Sequence, residues 1–309
     1  MSWFSPPESI KTEVHARLPD RFRRPRRTAW SDANKAGAEL DCFLEGPAFD
    51  RQENLYVTDI PFGRIFRLDR DGEWALIAEY DGWPNGLRVA ADGQLLVADY
   101  RLGLLRIDPN SGSVTPVLSA VRSEGFKGLN DLTIAGNGDL YFTDQGQTGM
   151  QDPTGRVYRL ATDGRLERLL DTCASPNGIV FNAAGTHLYV ALTRACQVWR
   201  VPVTRDAVVG KANVFAQLPG GVSGPDGLAM NVEDGLAIAD PGHACVWLLD
   251  RHGVPRHRIM SCAGRTLTNV AYQGLDLFIT DSETGQILKA RAPVPGQPLS
   301  TLHDQGATA

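Results

Sequence analysis

Two carboxylates and four carboxamides occupy the same slot of a phrase that the chain repeats six times: Glu45, Asn85, Asn130, Asn177, Asp226 and Asn269. Their settings are Leu44-Glu45-Gly46-Pro47, Pro84-Asn85-Gly86-Leu87, Leu129-Asn130-Asp131-Leu132, Pro176-Asn177-Gly178-Ile179, Pro225-Asp226-Gly227-Leu228 and Thr268-Asn269-Val270-Ala271. Oxygens of these types are hard donors. Glu45, Asn177 and Asp226 together offer two negative charges and one neutral oxygen, a set suited to Ca²⁺, with Mg²⁺, Mn²⁺ or Fe²⁺ as alternatives. Asn85, Asn130 and Asn269 can add donors directly or through water. Such chemistry requires all six to converge. Taken singly, Asn-Gly and Asp-Gly are also turn formers. A short apolar run follows each slot, as in Ile179-Val180-Phe181, and a turn does not require one.

The elements that would bring the slots together follow from the spacing. Gaps of 40, 45, 47, 49 and 43 residues separate the slots, which is the period of a four-stranded propeller blade. A β-type segment ending in Asp follows: in four units its Asp (Asp59, Asp99, Asp144, Asp240) lies 14 residues past the slot, and in the sixth Asp281 lies 12 past it. Unit four departs, ending in Leu192. A third segment alternates apolar and polar residues, as in Gly63 to Leu68 and Gly155 to Leu160, in the manner of a half-buried strand. Asp-Gly or Asn-Gly pairs at 71–72, 92–93, 137–138 and 163–164 mark hairpin turns. The terminal Asp residues are expected to be structural, accepting backbone hydrogen bonds at the strand ends. The fold predicted is all-β: a single six-bladed β-propeller over 1–309, with an irregular extension at 1–40 and a tail at 291–309. Unit six lacks an outer strand, so the segment near residues 11–18 is expected to supply it and close the ring. No long stretch has helical periodicity.

Composition narrows the partners. A net charge of −5 argues against nucleic acid, and the arginines between Arg21 and Arg27 read as a solvated segment. No apolar run approaches the ~20 residues of a membrane span, and residues 1–10 hold no hydrophobic signal core. A cytoplasmic protein without membrane contact is expected. Cys42, Cys173, Cys196, Cys245 and Cys262 show no metal-type pairing and read as small apolar residues. The histidines form no zinc motif.

Glu45-Gly46-Pro47, Asn130-Asp131-Leu132 with Gly138 to Asp144, Ser175-Pro176-Asn177-Gly178 and Pro225-Asp226-Gly227-Leu228 together resemble the motif set of the senescence-marker-protein/gluconolactonase (regucalcin-like) family of metal-dependent lactonases. The resemblance covers about residues 41–290. It implies one catalytic divalent metal in the channel, held by Glu45, Asn177 and Asp226, with Asn130 beside it contacting substrate or its water. Ca²⁺ is the first choice of ion, with Fe²⁺, Zn²⁺, Mn²⁺ or Mg²⁺ as alternatives. Asn85 and Asn269 take no role from the family. An Arg-x-Asn pair that contacts sugar in animal members has no match, since Gly128 and Leu129 precede Asn130.

The implied activity is hydrolysis of a small lactone to its hydroxy acid. The cation would polarise the carbonyl, and Asp226 is the expected general base, with hydroxide as the rival nucleophile. An esterase or phosphotriesterase on the same scaffold is the alternative, and a non-catalytic metal- or ligand-binding propeller the second alternative. Loops at Gln145 to Gly149 and Thr193-Arg194 are expected at the mouth, with Trp83, Phe126 and Met150 as candidate wall residues. Oligomeric state is not written in these motifs.

Overall fold

The inner strands of consecutive blades pack against one another around a closed circuit, with the strand of the sixth blade against that of the first. The computed structural model describes residues 6–204 and 208–298. Six antiparallel sheets form the blades of a β-propeller, each with at least four strands. Blade 1, for example, runs outward through Leu44–Phe49, Leu55–Asp59, Arg64–Leu68 and Trp74–Glu79. The other inner strands are Pro84–Val89, Leu129–Ile134, Pro176–Phe181, Leu228–Met230 and Leu267–Gln273. Inner strands are covered by neighbours on both faces, which is why apolar residues crowd both sides of the slot instead of alternating.

The ring is closed by the N-terminal segment, as the missing strand of unit six predicts. Strand β2 (Glu13–Arg17) pairs antiparallel with Gln286–Arg291, Val14 opposite Leu288, as the outer strand of blade 6. Unforeseen is β1 (Glu8–Lys11), which adds a fifth, parallel strand to blade 5 by pairing with Pro255–Met260. Buried Thr12 joins the two. Its hydroxyl donates to the Met260 carbonyl at 3.2 Å and accepts from the Cys262 N–H at 2.9 Å. Across the closing seam, Leu18, Leu44, Phe66, Phe278 and Ile287 share one apolar cluster.

The Asp residues that end the second strands are structural, as expected: Asp59, Asp99, Asp144, Asp240 and Asp281 are all 0% exposed. Three of them accept from the N–H of a residue leading into their own inner strand: Asp59 from Phe43 at 2.7 Å, Asp144 from Gly128 at 2.9 Å and Asp281 from Gly264 at 2.7 Å. Gly72, Gly93, Gly138 and Gly164 have φ of 85°, 81°, 87° and 85°, the left-handed backbone that hairpin turns demand. All five cysteines are free.

Among the described residues one α-helix breaks the all-β pattern, α1 (Ala29–Asn34), held at its start by a reciprocal Thr28/Ser31 capping box. Its Trp30 is buried against Phe43 and Ile60, which fixes α1 on blade 1. No helix among the described residues is long and apolar enough to cross a membrane.

Candidate metal centre

Close approach explains the glycine after the slot, and at Gly46 a left-handed backbone with φ of 53° demands it as well. Gly86, Gly178 and Gly227 lie on extended backbone outside the left-handed region. A Cβ at Gly178 would strike the Asp226 carbonyl, and one at Gly227 would strike Asn269. Only glycine lets neighbouring inner strands come this near. In five blades the ladder between first and second strands is interrupted beside the slot: Glu45/Ala48, Pro84/Leu87, Leu129/Leu132, Pro176/Ile179 and Leu267/Asn269. Such irregularities re-aim a side chain out of the alternating pattern. Threonines of the first, third and fourth blades then tie each blade to the next, with Thr58 donating to the Asn85 carbonyl at 2.7 Å, Thr143 to that of Asn177 at 2.8 Å and Thr193 to that of Pro225 at 2.8 Å.

Five slot residues are buried: Glu45, Asn85, Asn130, Asn177 and Asn269. Asp226 alone keeps part of its surface open. Glu45 Oε2 accepts from its neighbour's Gly46 N–H at 2.7 Å and from Asn269 Nδ2 at 2.9 Å. The Asn177 carboxamide lies close enough to Asp226 to favour its charged form. Asn130 Nδ2 donates to Gln145 Oε1 at 3.0 Å, and Gln145 Nε2 donates in turn to Ser175 Oγ at 3.0 Å. Thus Glu45 and Asn269 form one linked pair, Asn177 and Asp226 another. Asn130 is held from the mouth side, and Asn85 takes part through its carbonyl.

Burial penalises the ionised carboxylates of this site. Burial lifts the Glu45 carboxyl to about 7. Burial, with the Glu45 charge second, pushes Asp226 well above the usual carboxylate range. Buried Asp131 lies within electrostatic reach of both, and its Oδ2 has no hydrogen-bond partner. Its other oxygen is 3.5 Å from Arg88 Nη1, the nearest compensating charge. Carboxylates crowded into a buried site favour a divalent counter-ion over isolated ionisation. Among the described residues no group of three or more His, Cys, Asp or Glu is placed to hold a metal. Glu45, Asp226 and Asn177 offer hard oxygens, a chemistry that fits a cation such as Ca²⁺ better than a thiophilic ion.

Asn177 and Asp226 open into a cavity of about 550 Å³ at the mouth. The Gln145 to Gly149 loop, Thr193, Arg194 and Met150 line it, as their spacing from the slots suggests. Trp83 and Phe126 do not. Trp83 lies 5.7 Å from the Tyr100 ring and packs beside the Trp30 cluster, while Phe126 packs edge-on against Phe142 and Tyr158 in blade 3. Each aromatic finds apolar partners closer at hand than the polar mouth.

Three further residues were not marked by the repeat. Asp131 stands where Gly86, Gly178 and Gly227 stand in other units, and that departure was its only signal. Gln145 orients Asn130 from a loop outside the motif. Lys35, just past α1, lines the cavity with its Nζ 4.7 Å from the Phe43 ring centre. Burial lowers the Lys35 ammonium, Asp226 raises it, and Arg194 lowers it further.

Residues 43–283 match the model of the SMP-30/Gluconolactonase/LRE-like region. Diisopropyl-fluorophosphatase of Loligo vulgaris is 27% identical over 277 residues, spanning 79% of this chain and 87% of the relative. Lactonase drp35 of Staphylococcus aureus is 25% identical over 243 residues, 75% of this chain and 72% of the relative. Among solved structures, regucalcin of Agrobacterium tumefaciens, described as a calcium-binding protein, superposes with a TM-score of 0.74 at 22% identity, covering 94% of this chain and 97% of that one. That likeness establishes the fold.

Proposed function

Since the chain belongs to the SMP-30/gluconolactonase/LRE-like family, we propose that it is a divalent-metal-dependent hydrolase that opens a small lactone to its hydroxy acid. The observation that carries this reading is the Asn177–Asp226 pair: a partly open carboxylate, braced by a carboxamide, at the floor of a polar cavity and beside a second buried carboxylate, Glu45. Glu45, Asn177 and Asp226 would hold the ion, with Ca²⁺ preferred. When bound, it supplies Lewis-acid polarisation of the carbonyl and stabilises the charge that develops on its oxygen.

The chain's own groups do the rest. Asp226, the one carboxylate among the slot residues that line the cavity, accepts the proton of the attacking water. The acyl C–O bond of the ring then breaks, and the proton returns to the leaving alkoxide, which becomes the hydroxyl of the product. Asn130, oriented by Gln145, is placed to donate to substrate or to the water. Phe43, Met150 and Pro241 are the apolar members of a wall otherwise rich in amides and hydroxyls, a lining that suits a hydroxylated lactone. The fluorophosphatase relative keeps phosphotriester hydrolysis as the second reading.

A pH-stat assay over γ- and δ-lactones, aryl esters and a phosphotriester, with chelator and metal add-back, tests the proposal. Lactone hydrolysis lost with chelator and restored by Ca²⁺ is the expected result. Turnover that survives complete metal removal, or a rate confined to the phosphotriester, overturns it.

A further inference from the structure

Unit four gives up the strand-closing Asp that the other five units share, and the fold shows what replaces it. Leu192 ends the strand, and the following turn (Thr193–Ala195) carries Arg194 where blade 1 has Pro61 and blade 5 has Gly242. Arg194 thereby reaches the mouth cavity, exposed. Facing the same cavity is Lys35, brought there by α1 and lying outside every repeat. The two cations are close enough to repel one another. Among the described residues neither has a carboxylate within salt-bridge distance; Glu283 and Asp226 act on Lys35 only through space.

α1 also reaches the far side of the mouth, where Gln147 Nε2 donates to Asn34 Oδ1 at 3.4 Å and to the Tyr100 hydroxyl at 2.9 Å. The N-terminal segment thus forms part of the roof over the cavity and fixes where Lys35 stands. Two cations lining one rim, neither of them in a salt bridge, form a receptor for an anion, because an anion between them gains two charge-assisted contacts.

Resting on the lactonase reading, we propose that Lys35 and Arg194 select a lactone bearing an anionic substituent, a carboxylate or a phosphate monoester, held at the rim while the ring carbonyl faces Asp226. The same site would then have two charge layers: hard oxygen donors at the floor and a cationic rim at the mouth.

The test compares three δ-lactones that differ at one ring carbon, carrying a carboxylate, a phosphate monoester or a neutral amide. Wild-type kcat/KM should favour an anionic substrate over the amide by at least about tenfold at low salt, and the preference should shrink as salt is added. Lys35→Met with Arg194→Met should bring the ratio to about twofold or less, while Lys35→Arg retains it. Which anion shows the larger ratio distinguishes carboxylate from phosphate. Calorimetry with the matching non-hydrolysable lactams reads the rim without turnover. Anionic lactam binding that depends on Lys35 and Arg194 in a protein hydrolysing no lactone would end the lactonase reading and keep the rim. Equal wild-type affinity for charged and neutral lactams, or a preference that survives the double substitution, overturns this proposal.

Discussion

Asn269 of the last blade donates to Glu45 of the first at 2.9 Å, so the acidic slot residue of blade 1 is held across the seam where the ring closes. A carboxamide without a family-assigned role is thus the partner that orients a proposed metal ligand. Outer-shell partners of this kind change metal affinity by about 10–100-fold. Asn269→Ala should weaken Ca²⁺ binding by about tenfold, and Asn85→Ala by less, since the Asn85 contact to Thr58 runs through its backbone. Titration calorimetry measures both; equal affinity in Asn269→Ala and wild type would remove Asn269 from the site.

Asp226→Asn keeps the hydrogen-bonding shape and removes the base. At saturating metal, kcat should fall by about 10²–10⁴-fold with the circular dichroism spectrum unchanged. Wild-type turnover by this variant would retire Asp226 as the proton acceptor.

Protons and metal compete for the same carboxylates. Burial raises Glu45 from 4.5 to about 7, so the folded metal-free protein holds a proton that the unfolded chain has released. The stability of the metal-free form therefore falls as pH rises through that window, whereas metal affinity rises. With chelator, Tm should be lower at about pH 8 than at about pH 5.5, and Ca²⁺ or Glu45→Gln should flatten this slope. A metal-free Tm that climbs across the window would reverse the assignment.

Thr12 lies buried between β1 and β2 and makes two hydrogen bonds to blade 5. Thr12→Val keeps the shape and leaves the Met260 carbonyl and the Cys262 N–H without this partner, a loss of about 1–2 kcal/mol. Urea unfolding should show a lower midpoint at unchanged slope, and an unmoved midpoint would mean that water replaces the hydroxyl.

The blades were legible because each must bury the same inner strand against the same neighbours, so one pattern recurs six times. The slot residues were legible for the same reason. Asp131 and Lys35 were not: one is a departure from a glycine that packing otherwise requires, the other stands in a segment that recurs nowhere. β1 was missed because four mostly exposed residues, Glu8–Lys11, carry no alternation of their own and gain their strand form from blade 5. Trp83 and Phe126 show the limit of reading aromatics near a loop, since burial against Tyr100 and against Phe142 outcompetes a place at the polar mouth.

The thread of chain from β1 through β2 to α1 also sets an order in time. Thr12 pairs with Met260 and Cys262, partners 248 and 250 residues further along, and β2 with Gln286–Arg291. Residues made before every blade must wait for blade 6, made after the other five, before β2 can dock. Contacts of such sequence separation form late, since the long loop between them must be ordered first. A nascent chain short of residue 291 would carry an open ring, and activity would arrive only with the final docking. In refolding, Trp30 should be buried early, since Phe43 and Ile60 of blade 1 seat it, whereas activity should recover only as the β2 amides become protected from hydrogen exchange by pairing with Gln286–Arg291; activity regained before β2 is protected would separate the two.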